Sequence, residues 1–245
     1  MLLLILLEQI LLLMVDGLSN NLAIIIQARM TSNRLPCKIA LDLCGKTVLE
    51  RVIDQCKKVN TKSDIILATS DKISDDLTVK IAERSRIKIY RGSLNDVRSR
   101  YLNAGKGYKI ITRVTADNPF TEPSFIDEAV KSIKNNNLDY ASILNCPYGS
   151  GVQVFKYDLL RKTCNHYNDS DSKEHVMLEK LLIGDCKVKS YFYKSYPTSK
   201  KHIRLTIDTL RDYIVAYKIY NKLIKQNLEN NLENVMPIWE SIQIQ

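Results

Sequence analysis

Arg29, Arg34 and Lys38 place three cations within ten residues of one stretch, Ala23 to Lys38, which reads AIIIQARMTSNRLPCK. A guanidinium offers a planar fork of donors and an ammonium a compact charge, so together they suit the oxygens of a polyphosphate. Thr31, Ser32 and Asn33 add short hydroxyl and amide groups, and Pro36 stiffens the exit. Taken alone, the stretch reads equally well as a core strand followed by a solvated basic loop. Two aspartates have a related placement: Asp117 in RVTADNP and Asp208 in HIRLTIDT each follow an apolar run. Two carboxylates converging on a triphosphate meet the needs of Mg²⁺ when phosphate oxygens and water complete its shell. Each aspartate also reads as a helix N-cap, because a helix-forming segment follows both. Arg113 reads either as a phosphate contact or as half of a structural ion pair.

These groups need a scaffold, and the hydrophobic pattern supplies one. Ala23 to Ile26 is a short continuous apolar run, the mark of a parallel strand covered on both faces. Thr47 to Lys58 has helical spacing through Val48, Leu49, Val52, Ile53 and Cys56, with Thr47 and Glu50 set as a capping box. Strands are expected at Asp64 to Ala68, Ile87 to Tyr90 and Ile110 to Thr115, with helices from Ser74 to about Ser85 and Asn95 to Ala104 between them. A helix from Pro123 to about Asn135 follows, then strands at Tyr140 to Leu144 and Gly151 to Phe155. A helix over Ser172 to Leu182 leads to strands at Val188 to Lys194 and Ile203 to Ile207. A last helix is expected over Leu210 to Leu228, with Tyr213, Ala216, Tyr217, Tyr220 and Ile224 on one face. Regular alternation of strand and helix predicts an α/β fold with a doubly wound, mostly parallel sheet of Rossmann type. The less regular spacing after Pro123 suits a small inserted subregion, and the Asn-rich patches read as loops.

The chain has 245 residues, enough to bury a core without disulfides or metal, and its 45% hydrophobic and 26% charged content is ordinary for a soluble globular protein. Its formal charge of +9 admits nucleic acid, an anionic membrane or small phosphorylated ligands as partners. No aromatic platform for single strands accompanies the cations, so small anions are favoured and nucleic acid is not expected. The six cysteines are dispersed without a C-x-x-C pair, which suits reduced thiols in a cytoplasmic protein and argues against a zinc site. Met1 to Val15 is Leu- and Ile-rich, but Glu8 and Gln9 interrupt it and no basic segment precedes it. It is a poor signal peptide and a poor span, so no stable membrane insertion is expected. Translation from Met14 is the preferred alternative, which makes residues 1–20 a leader and 21–245 one domain.

The first loop, QARMTSNRLPCK, together with the D-N-P and I-D-T segments, resembles the cytidylyltransferases that activate KDO and acylneuraminate sugars, and within them the branch of spore-coat polysaccharide biosynthesis proteins. That branch usually has Gly where this chain has Cys37. The resemblance spans roughly Asn21 to Leu228 and implies a GT-A-like nucleotidyltransferase fold. It also implies Mg²⁺-dependent transfer of CMP from CTP to an acidic or modified sugar, with release of pyrophosphate, for cell-surface polysaccharide.

In that family the matching aspartates are metal ligands, which assigns Asp117 and Asp208 to Mg²⁺. Arg29, Arg34 and Lys38 would offset charge on the leaving pyrophosphate, and Lys38 is expected to be exposed, contributing to ligand and not to core. Gln27, Ala28, Arg29, Ser32 and Lys38 would line the nucleotide, with Arg91, Ser93 and Arg100 near base and ribose and Arg113 also on the nucleotide side. Gly92 could let backbone approach a flat base, although Ser93 as a helix cap explains that turn equally well. Gly151, Gln153, Glu174 and His175 fall in segments resembling the sugar side, with Gln153 where an acidic residue is usual. A lone His on a helix is more often structural. A homodimer remains open, as do transfer of another nucleotide such as GTP to a sugar phosphate, or non-catalytic binding of a sugar nucleotide.

Overall fold

The computed structural model describes residues 21–166, 187–192 and 203–243. The leader, Glu174, His175 and the helix expected over Ser172 to Leu182 lie outside the described residues. Seven strands form one sheet: β1 (Leu22–Gln27), β2 (Asp64–Ser70), β3 (Lys88–Gly92), β4 (Ile110–Thr115), β5 (Tyr140–Leu144), β6 (Gln153–Lys156) and β7 (Val188–Phe192). Their order is β3-β2-β1-β4-β6-β5-β7, parallel throughout except where β6 runs against both β4 and β5. The expected doubly wound α/β sheet is therefore present.

Seven α-helices are described: α1 (Val48–Lys57), α2 (Asp76–Arg84), α3 (Val97–Ala104), α4 (Pro123–Asn136), α5 (Tyr157–His166), α6 (Leu210–Lys225) and α7 (Leu232–Gln243). Strand β1 is buried along both faces, and its alternate residues feed two cores. Leu22, Ile24 and Ile26 pack with α1, α4, α6 and α7, while Ala23 and Ile25 pack with Val97 and Tyr101 of α3 and Leu159 and Leu160 of α5. Each fully buried Ile contributes about 1.5–3 kcal/mol, which explains why a six-residue run with no polar face forms the central strand. At the start of α1 the capping box forms as expected: Thr47 accepts from the Glu50 amide, and the Glu50 side chain accepts from the Thr47 amide.

Several expectations needed correction. Ile203 to Ile207 is no strand; it is an extended segment with a single parallel bridge between Arg204 and Tyr148. Its alternating Ile203, Leu205 and Ile207 are buried as a strand's would be, but its backbone bonds go to Tyr148 and Asp117 in loops. On α6 the buried face is Ala216, Ile219, Tyr220 and Leu223, whereas Tyr217 and Ile224 are 41% and 53% exposed. Helices α5 and α7 were not expected; α7 carries Pro237 within its span.

The Asn-rich patches have structural work. Asn137 and Asn227 take φ of 49° and 52°, left-handed positions that a short polar side chain tolerates, just beyond α4 and α6. Asn230 donates to the Pro119 carbonyl at 2.9 Å and so ties the chain after α6 to the loop after β4. No described helix is long and apolar enough to cross a membrane.

Candidate active site

Strand order reverses its direction of growth at β1, whose neighbours are β2 on one side and β4 on the other. Loops leaving the carboxyl ends of β1 and β4 therefore diverge and leave a crevice between them, the usual ligand position in open α/β sheets. The loop after β1 is closed by a Cys37 amide bond to the Met30 carbonyl at 3.1 Å. It is anchored from below by Asp75, whose fully buried carboxylate accepts from the Met30 amide at 2.7 Å and from the amide and hydroxyl of Ser70. Nothing in the sequence singled out Asp75, which sits in an ordinary polar turn; only the fold shows that it ties the loop to the end of β2.

Cys37 takes φ 56° and ψ 18° and leads directly into a 3-10 turn over Lys38–Ala40. A left-handed conformation explains why Gly suits this position; the turn forms here with a Cβ present. Cys37→Gly is expected to stabilise the fold by about 1 kcal/mol, the relieved strain outweighing the added freedom of the unfolded chain. Thermal unfolding should register this as a rise of about 2–4 °C. An unchanged or lower midpoint would mean that the loop bears no strain there.

The turn aims Lys38 inward. Contrary to expectation the residue is only 8% exposed. Its ammonium bonds Asp117 Oδ2 at 2.5 Å and Asp208 Oδ1 at 2.9 Å, so residues 79 and 170 positions away meet at one nitrogen. The Ile207 amide, bonded to the Asp117 carbonyl at 2.9 Å, brings the two aspartates side by side. Neither aspartate caps a helix: Glu122 caps α4 and Thr209 caps α6. Asp208 also accepts from Arg34 at 2.8 Å on Oδ1 and from Arg204 at 2.7 Å on Oδ2. Burial raises the Asp208 carboxyl's pKa, but Lys38, Arg34 and Arg204 more than offset that and hold it below the usual carboxylate range. Arg204 in turn bonds Asp212 and lies over the Tyr148 ring; no sequence signal separated it from other surface arginines.

Two adjoining cavities open on this cluster. The smaller, about 280 Å³, is lined by Gln27, Ala28, Arg29, Ser32, Arg34 and Lys38, with Asp117 and Asp208. The larger, about 620 Å³, is lined by Arg113, Gly151 and Gln153 among others, again with Asp117 and Asp208. The carboxylate pair thus stands in the wall common to both. Gln27, Asn118 and Arg113 line these spaces, and among the described residues their buried Oε1, Oδ1 and Nε atoms have no hydrogen-bond partner. Arg113 donates to Gln153 Oε1 at 3.0 Å. Arg91, Ser93 and Arg100 line neither cavity: Arg91 is engaged by the Ser70 and Lys72 carbonyls and by Asp76, and buried Arg100 by the Ser93 and Leu94 carbonyls. They brace the loops at the ends of β2 and β3. The cap of α3 is Asp96, not Ser93.

Gly149 presses against this assembly from the larger cavity's rim. Its φ is +100°, and a Cβ there would lie 2.6 Å from the Thr206 amide nitrogen, which is backbone and cannot swing away. Gly149→Ala is expected to cost about 2 kcal/mol or more and to lower turnover by displacing the segment that carries Asp208. Urea unfolding and activity read the two effects; wild-type values for both would show the segment to be free to shift.

Among the described residues no cluster of three or more His, Cys, Asp or Glu forms. Two hard carboxylate donors beside a cavity lined with cations fit Mg²⁺, which takes one or two carboxylates and completes its shell from phosphate and water.

Comparisons with known proteins give the family to which the chain belongs. The cytidylyltransferase family profile matches residues 23–235. An uncharacterised protein of Methanocaldococcus jannaschii is 36% identical over 205 residues, 82% of each chain. The spore coat polysaccharide biosynthesis protein SpsF of Bacillus subtilis is 29% identical over 211 residues, covering 83% of this chain and 88% of that one. Among solved structures, a cytidylyltransferase from Leptospira borgpetersenii superposes with a TM-score of 0.81 at 27% identity, over 92% of this chain and 97% of that one.

Proposed function

The chain belongs to the cytidylyltransferase family and is a nucleotidyltransferase, and from that premise we propose that it transfers CMP from CTP to an acidic or modified sugar, releasing pyrophosphate, for cell-surface polysaccharide. One observation carries the reading: Asp117 and Asp208 stand in the wall shared by two cavities, one lined with phosphate-binding residue types and one large enough for a sugar. A reaction that joins two substrates at a phosphorus atom needs its charge-stabilising groups at such a junction.

In this mechanism the triphosphate lies in the smaller cavity against Arg29, Arg34 and Lys38. A sugar oxygen enters from the larger cavity and attacks the α-phosphorus in line. The new oxygen–phosphorus bond forms as the α–β bridge breaks, its electron pair leaves with pyrophosphate, and the sugar hydroxyl's proton passes to water. Arg29 and Arg34, both exposed at the mouth, offset the charge that collects on the leaving group. Asp117 and Asp208 would hold Mg²⁺, which supplies a Lewis acid for the phosphate oxygens. No protein nucleophile is required.

Arg113, expected on the nucleotide side, lines the larger cavity and not the smaller one, and there it supports an acidic acceptor. Its described partners include the neutral amide of Gln153, and among the described residues no carboxylate pairs with it, so its charge is available to an anionic sugar. Residues 21–245 act as one domain in this proposal, in the cytoplasm, either as a monomer or as a homodimer.

The test is pyrophosphate release from CTP, GTP, ATP and UTP, each with a panel of sugar acids and sugar phosphates. CTP with a sugar acid is the expected pair. Turnover only with GTP and a sugar phosphate would overturn the choice of nucleotide, and binding of sugar nucleotides without turnover would overturn catalysis.

A further inference from the structure

Lys38 holds a position that its assignment to phosphate does not explain. Its ammonium is buried and lies between the two carboxylates, 2.5 Å from Asp117 and 2.9 Å from Asp208. Two carboxylates brought this close repel each other unless a cation lies between them. The second oxygen of Asp208 is taken as well, by Arg204. A divalent cation held by this pair would compete with the Lys38 ammonium for the space between the carboxylates, while Arg34, which also reaches Asp208 Oδ1, is exposed and free to swing aside. The two positive charges cannot share that space in a partly buried site without a large electrostatic cost.

We propose that Lys38 is a placeholder cation that excludes divalent metal from the free protein and makes metal entry conditional on a polyphosphate. The proposal rests on the nucleotidyl-transfer reading. Lys38 also lines the smaller cavity beside Arg29 and Ser32, so its flexible four-carbon stem can carry the ammonium from the carboxylates to phosphate oxygens. When it does so, the two carboxylates lose the one cation they share, Arg34 and Arg204 remaining on Asp208 alone, and the pair gains affinity for a divalent ion. Triphosphate and metal then strengthen each other's binding by the same factor, as linkage requires.

The sign of the test is opposite to that of an ordinary ligand-binding lysine. Lys38→Met keeps the stem's bulk and removes its charge. Without nucleotide, this variant is expected to bind Mn²⁺, followed by the paramagnetic signal of the free ion, at least tenfold more tightly than the wild type does. Adding Asp117→Asn to Lys38→Met should return the affinity to the wild-type level, which locates the ion. Equal Mn²⁺ affinity of the wild type and Lys38→Met would overturn the proposal.

The wild type provides a second measurement that does not depend on the variant folding. Mn²⁺ alone should leave its melting temperature unchanged, and a rise of several degrees with the metal alone would overturn the placeholder. Pyrophosphate release by the wild type is assayed in parallel. If it fails with every nucleotide, the transfer reading falls, while the Mn²⁺ comparison still decides whether Lys38 excludes metal.

Discussion

Asp117→Asn and Asp208→Asn should each lower maximal turnover by about a hundredfold and raise the Mg²⁺ concentration needed to reach it. A lost charge interaction of about 3 kcal/mol at the transition state has that size. Asn keeps the shape of the side chain and can still accept a hydrogen bond, so the substitution removes charge and little else. Helix capping cannot account for such an effect, because Glu122 and Thr209 perform it. The two variants should differ in stability. Asp208→Asn deprives Lys38, Arg34 and Arg204 of a shared counter-charge, whereas Asp117→Asn affects Lys38. The double variant should cost far less than the product of the single losses, since residues that serve one ion act as a unit. Steady-state kinetics across a Mg²⁺ series checks all three statements. Independent losses of a few-fold each, with unchanged Mg²⁺ dependence, would show that the pair has a structural role only.

What could be read from the sequence divides along physical lines. Strand β4 and helix α1 were legible to their ends, because a buried run bounded by polar turns and a capping box are local signals. The segment 203–208 was misread as a strand because alternation reports which side chains are buried, not whether a neighbouring strand is there to pair. The face of α6 was misplaced because Leu210, Ile214, Tyr217 and Ile224 are apolar yet exposed, so hydrophobicity alone gives two competing stripes. Helix α7 follows an Asn-rich turn and contains Pro237, both of which argue against a helix in isolation.

At the site, residue types and resemblance singled out Asp117, Asp208 and the cations of the first loop, and the fold brings Asp117, Asp208, Arg34 and Lys38 into direct contact. The burial of Lys38 was not legible, since a polar loop gives no sign that a left-handed residue at Cys37 turns the next side chain inward. Asp75 and Arg204 were missed for the same reason: their roles exist only in contacts between segments distant in sequence. Arg91 and Arg100 have a sequence context that suggested ligand, and in the fold Arg91 bonds the Ser70 and Lys72 carbonyls and Asp76 while Arg100 bonds the Ser93 and Leu94 carbonyls.

Lys38→Ala should lower turnover by more than a hundredfold and, unlike truncation of an exposed lysine, should also destabilise the free protein. Breaking a buried ion pair by removing one partner costs about 3–5 kcal/mol. Here the Asp117 side chain is 23% exposed and water screens part of the repulsion, so about 2 kcal/mol is expected. The loss arises because two carboxylates face each other with their common cation gone, and it should therefore respond to metal. Millimolar Mg²⁺ should restore much of the stability of Lys38→Ala while leaving the wild type unchanged, as a ligand that binds only the folded variant must. Turnover should not recover, because the ammonium is also needed against the phosphates. Urea unfolding of both proteins, with and without Mg²⁺, separates these effects. If Lys38→Ala unfolds with the wild type at every Mg²⁺ concentration, the bridge contributes nothing to the free fold, and the carboxylates need no cation between them.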